Sequence, residues 1–214
     1  AEAEAVSIGQ GCSAITFPMP DSRLSTLAAG LAEVFAQRLD APTHAGGEYV
    51  IGYLAEDGLS QAWSRAGVAP WKTISADSGV VVRISSAVDQ AIRSEIAKRP
   101  GSETGGVIVG RFSQIGNCFQ VVDLIPAPPD SSFSAERFTL GTSGLQKAIR
   151  DLLSSSNGTL YALGTWHNHL VKSGPSLLDA ATAAKLSLRQ FFPVLMLIAL
   201  PDGYTCLTAE PATV

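Results

Sequence analysis

The chain has 214 residues, 46% of them hydrophobic and 16% charged, with a formal net charge of −4. That balance argues against a disordered chain and supplies enough apolar side chains for one large domain, or one domain with a smaller companion. The excess acidity lies ahead of Gly79 and neither part carries a basic stripe, which argues against nucleic acid as the main partner.

In chain order, the start Ala1-Glu2-Ala3-Glu4-Ala5 has neither an initiator Met nor the basic-then-apolar pattern of a signal peptide, and is read as an internal or trimmed start. Arg23 to Leu39 predicts an amphipathic helix, because Leu24, Leu27, Leu31, Val34 and Phe35 recur at helical spacing. Glu48 to Leu54 and Leu59 to Ser64 read as a strand pair around Glu56-Asp57-Gly58. Val68 to Ser78, with Pro70, is expected to be irregular and is taken as a boundary: 1–78 is a small N-terminal α/β segment and 79–214 the main domain.

Val80 to Ile84 then reads as a strand. Ser85 or Ser86 caps a helix running to about Lys98, stopped by Arg99-Pro100-Gly101. Thr104 to Phe112 and Cys118 to Ile125 are strands. Pro126 to Phe133 is a proline-rich loop, and Thr142 to Leu153 a helix. Leu160 to Trp166 is a strand leading into His167, and Ser176 to about Arg189 is a third helix. Val194 to Leu200 and Tyr204 to Thr208 form a last strand pair. Strands and helices mix without a strict βαβ rhythm, which predicts an α/β or α+β sheet flanked by helices.

No apolar run reaches the roughly 20 residues that span a bilayer, so no membrane partner is expected. Three cysteines, Cys12, Cys118 and Cys206, suit no closed disulfide framework. Reduced thiols in a cytoplasmic protein are the simplest reading.

The chain has three histidines, and two of them stand together in Gly164-Thr165-Trp166-His167-Asn168-His169. At i and i+2 on a strand their side chains share one face, with Asn168 pointing the other way. Asp179 follows in Ser176-Leu177-Leu178-Asp179. Two imidazoles and a carboxylate are a sufficient ligand set for a catalytic zinc with one open position. Ser176 and Asp179 also form a variant capping box at a helix start, and the two roles can coexist. Hydrolysis further needs a general base, and Glu103, ahead of Thr104-Gly105-Gly106 at the mouth of a strand, is the best candidate.

Glu103-Thr104-Gly105-Gly106, then His167-Asn168-His169, then Ser176-Leu177-Leu178-Asp179 together resemble the pattern of the JAB/MPN (JAMM) metallopeptidases, over roughly Gly79 to Thr208. The resemblance implies a curved mixed sheet flanked by helices, like that of cytidine deaminases. It implies zinc on His167, His169 and Asp179, Glu103 as the base, and Ser176 as an oxyanion donor. It also implies cleavage after the C-terminal tail of ubiquitin or a ubiquitin-like protein, as deconjugation or precursor processing. Gly11-Cys12-Ser13 and Phe17 to Ser22 loosely resemble the C-terminal edge of a ThiF/E1-type adenylating domain, which adds E1/E2-like conjugation enzymes as partners. A role in antiviral defense would rest on that analogy. Leu170 stands where the family usually has proline, and the loop to Asp179 is one residue shorter than its common form. These departures motivate an alternative: a catalytically silent scaffold that binds a ubiquitin-like protein or a conjugation enzyme. A zinc deaminase is disfavoured, because its His-x-Glu and Pro-Cys-x-x-Cys signatures are absent.

Overall fold

The computed structural model describes residues 71–211, apart from 77, 115, 157 and 191, together with the backbone of 5–6, 15–16, 48–54 and 61–67. The chain divides into two compact units, Ala1–Val68 and Ala69–Val214. In the first, β1 (Ala5–Val6) pairs with β2 (Ile15–Thr16), and β3 (Glu48–Leu54) pairs antiparallel with β4 (Gln61–Gly67). The expected helix over 23–39 and the segments Gly11–Ser13 and Phe17–Ser22 lie outside the described residues.

The second unit is built on a seven-stranded mixed sheet. Its strands are β5 (Trp71–Ser75), β6 (Val81–Ser85), β7 (Gly105–Ser113), β8 (Cys118–Pro126), β11 (Tyr161–Asn168), β12 (Val194–Leu200) and β13 (Gly203–Ala209). They lie in the order β13-β12-β11-β7-β8-β6-β5. Only β11/β12 and β6/β8 are parallel neighbours; the other pairs are antiparallel. A two-stranded ribbon of β9 (Ser132–Phe133) and β10 (Phe138–Thr139) lies between β8 and β11 in sequence. Three helices complete the described part of the unit: α1 (Ser86–Ala97), α2 (Leu145–Ser155) and α3 (Leu177–Gln190). This is an α+β arrangement of the expected kind.

Most elements lie within a residue or two of their sequence expectation. One exception is Val68 to Ser78, expected to be irregular. Its Trp71–Ser75 part is β5, which pairs residue for residue with β6. Its alternation of half-buried and exposed side chains is weak, as befits an edge strand, and Pro70 obscures its start.

Period-two alternation sorts the side chains onto two faces. Val82, Ile84, Ile108, Phe119, Val121, Trp166, Leu195 and Leu197 meet Val88 and Ile92 of α1 in one large core. Met196 and Ile198, one step out of phase on β12, meet Ala183 of α3 in a smaller one. Ser85 caps α1 by accepting from Val88 N–H at 3.2 Å. A β-bulge between Ala162 and Gly164 resets the register of β11 against β7. Gly164 has φ of +149°, and a Cβ there would lie 1.9 Å from Leu195 O, so the bulge requires glycine.

The sheet curls until its two edges are bridged. Ser78, in the β5–β6 turn, bonds Thr208 of β13 at 3.0 Å. Asp89 of α1 receives the Tyr204 hydroxyl of β13 at 2.5 Å and pairs with Lys72 of β5 at 2.8 Å. Among the described residues no helix is long and apolar enough to cross a membrane.

Candidate metal centre

His167 is the penultimate residue of β11 and His169 lies just past its end. The bulge at Gly164 decides which face His167 takes. Beyond it Trp166 points into the α1 core, and His167 is on the opposite side, 8% exposed. His167 Nε2 and His169 Nε2 approach to 3.1 Å. Asp179, in the first turn of α3, brings Oδ1 to 3.4 Å from His167 Nε2 and Oδ2 to 3.7 Å from His169 Nε2.

These separations can be tested against a metal ion. A small tetrahedral ion with ligand distances of about 2.0–2.1 Å has ligand–ligand edges of about 3.3 Å. The separations here lie near that value, the two to Asp179 running to its two different oxygens. With one donor atom from each residue, the three side chains form a group, within 4.8 Å of one another, that could hold a metal ion. Burial pushes the His167 pKa down; the Asp179 charge opposes this and His169 reinforces it. A neutral imidazole with an available lone pair results. His169 Nδ1 lies 2.8 Å from Ser173 Oγ. When Nδ1–H donates to that hydroxyl, Nε2 is left as the ligand atom.

Ser176 and Asp179 do form the capping box. The Ser176 carbonyl accepts from Ala180 N–H at 3.1 Å, and its hydroxyl accepts from Asp179 N–H at 3.2 Å. Asp179 Oδ2 in turn accepts from Ser176 N–H at 2.7 Å. The helix start thus fixes the carboxylate while Oδ1 faces His167. The Ser176 hydroxyl proton is not used in this cap.

Glu103 precedes β7. It lines the same 680 Å³ cavity as His167, His169, Ser176 and Asp179. Burial raises its pKa, whereas His169 and the N–H of Phe138 lower it and Asp179 raises it. Its own N–H donates to Ser134 O at 2.7 Å. Gly105 is required at the next turn of chain, where a Cβ would lie 2.2 Å from Trp166 O and 2.5 Å from the Phe138 ring. All five residues singled out from the sequence therefore share one cavity.

Sequence reasoning missed the other wall. The segment read as loop contains β9, and the β9–β10 ribbon places Phe138, Thr139 and Leu140 along the cavity. Arg99 stacks over Phe133 at 3.9 Å, and Phe133 packs on Phe138 at 5.6 Å. The only sequence signal was two aromatics five residues apart. Asn168 was also missed. It does leave the metal face, but it is 2% exposed and its Oδ1 accepts from Thr104 N–H at 2.6 Å.

Fold and site together define a mixed α+β protein with a His–His–Asp group suited to a metal ion and an acid beside it. No family model matches the chain. Over 89 residues it is 34% identical to a protein of Enterobacter hormaechei subsp. hoffmannii (strain UCI 50) named CD-NTase/cGAS isopeptidase, covering 42% of this chain and 47% of that protein. The chain thus spans about half the length of that relative. It is also similar to the solution structure of protein DSY2949 from Desulfitobacterium hafniense, at 20% identity and a TM-score of 0.43, over 58% of this chain and 80% of the other.

Proposed function

We propose that this chain is a zinc-dependent isopeptidase or peptidase of JAB/MPN type that cleaves after the C-terminal tail of a ubiquitin-like modifier. The observation that carries the reading is the convergence of Glu103, His167, His169, Ser176 and Asp179 on one cavity. The isopeptidase name of the Enterobacter protein supports it. As part of the same proposal we place the chain in a bacterial antiviral conjugation system, with conjugation enzymes as partners and the cytoplasm as location.

His167, His169 and Asp179 hold the ion. Zinc, when bound there, supplies Lewis acidity toward the scissile carbonyl and lowers the pKa of water. Glu103 takes a proton from the attacking water and passes it to the departing amine. Its raised pKa suits a group that must both accept and release a proton. The Ser176 O–H donates to the oxyanion of the tetrahedral intermediate. The adenylating-domain resemblance of the N-terminal segment belongs to the same proposal: conjugation and deconjugation would then stand on one polypeptide.

Metal content by elemental analysis tests the ligand set, with Asp179→Ala as control. About one zinc per chain, lost in the control, is expected. Glu103→Gln should keep the zinc and lose at least about 100-fold in cleavage of a ubiquitin-like precursor. Protein that takes up no zinc after supplementation would replace this reading with the silent scaffold.

A further inference from the structure

We propose that Asn168 is a positioning residue that ties Glu103 to the histidine pair; the role assigned to Glu103 rests on the function proposed above. The argument starts from the ladder between β7 and β11. Its last Cα pair is His167 with Gly105. One step further, Asn168 N–H donates to Thr104 O at 3.0 Å, as a regular antiparallel continuation would. The return bond is different. Thr104 N–H donates at 2.6 Å to the Asn168 side-chain oxygen, not to a main-chain carbonyl. On its other side the parallel ladder with β12 runs on, and His169 N–H donates to Ala199 O at 3.0 Å.

A side chain therefore replaces a main-chain acceptor at the position where β11 leaves β7. The side chain keeps Thr104 anchored where the ladder with β7 ends, while β11 runs on beside β12 and His169 shares the face of His167. Thr104 and Asn168 are each 2% exposed, so water is not available to replace the bond. Glu103 is the next residue. Its N–H on Ser134 O tethers it to the ribbon side. Only the Thr104–Asn168 pair among these tethers reaches the strand that carries the histidines. Because Asn168 lies between His167 and His169 in the chain, its side-chain amide, together with its own N–H, ties the acid's neighbour to the ligand pair.

Asn168→Leu keeps the shape and removes the acceptor; Asn168→Asp keeps an oxygen at the same place. The readouts are amide hydrogen exchange at Thr104 in metal-free protein, zinc content, and kcat and KM on a ubiquitin-like precursor that the wild type cleaves. The Leu variant should exchange Thr104 about 10–100-fold faster, as expected for loss of a buried bond. It should lose about 10–100-fold in kcat with KM within about twofold and zinc near one per chain, as a misplaced base would. The Asp variant should restore both the protection and most of kcat. Unchanged Thr104 exchange in the Leu variant overturns the proposal, as does Asp restoring protection without restoring kcat. If the Leu variant does not fold, Asn168→Ala is compared in its place. A wild type that cleaves no precursor sinks the isopeptidase reading by itself, and the exchange comparison then decides the place of Asn168.

Discussion

The two faces of the seven-stranded sheet are built on opposite plans. Against α1 the sheet buries a continuous apolar layer from Val82 to Leu197, with Trp166 and Phe119 among its fully buried side chains. On the other face a smaller cluster of Met196 and Ile198 packs on Ala183 of α3, and that side also carries the cavity holding the histidines, Asp179 and Glu103. The edge-bridging network at Asp89 is on the thick side, where α1 joins β5 to β13. Hydrophobic burial on one face stabilises the sheet, so the other face can hold polar groups in fixed, partly desolvated positions that contribute little to folding. A site that depends on β11 being rigid is thereby supported from behind.

The sharpest way to break that contrast is to damage each face and read both stability and metal binding. Leu197→Ala, under Trp166 in the thick core, should lower unfolding free energy by about 2–5 kcal/mol, seen as a large fall in the urea midpoint. Zinc stoichiometry of the folded fraction should be unchanged. A stability loss below about 1 kcal/mol would show that the α1 face does not carry the fold.

Asp89 gives the next largest effect and a pH signature. Burial would raise its pKa, but Lys72, Tyr204 and Arg93 outweigh that and lower it from 3.8 to about 2. The folded carboxyl is thus depressed, so its stabilisation is present above pH 3.8 and is lost as pH falls from there to about 2. Because Lys72 and Arg93 are about half exposed, the contribution is screened to about 1–2 kcal/mol. Asp89→Asn should therefore be less stable than wild type by that amount at pH 7, with the difference shrinking in denaturant titrations below pH 4. A difference independent of pH would remove the ion pairs from the account.

On the open face, Leu177 is 92% exposed at the start of α3. Leu177→Ser should change stability by less than about 0.5 kcal/mol. It should leave zinc uptake intact, because the Ser176–Asp179 cap does not involve the side chain at 177. Loss of zinc in this variant would show that the first turn of α3 is held by packing and not by its cap.

Much of this arrangement was legible in the order of residues alone. Apolar alternation, Ser85 before a helical pattern, and Pro-Gly stops located most elements, since those signals act within a few residues. The His–His–Asp group was legible too, because imidazoles two apart on a strand and Ser-x-x-Asp at a helix start are local patterns. What tertiary structure decided is every relation across the chain. The Gly164 bulge chose the face of His167, and only pairing with β7 and β12 reveals it. Strand β5 exists because β6 offers it an edge, the β9–β10 ribbon became a cavity wall by reaching Glu103, and Asn168 found Thr104 across 64 residues. Local sequence sets what each segment prefers; hydrogen-bond partners and neighbours distant along the chain decide which of those preferences meet at one site.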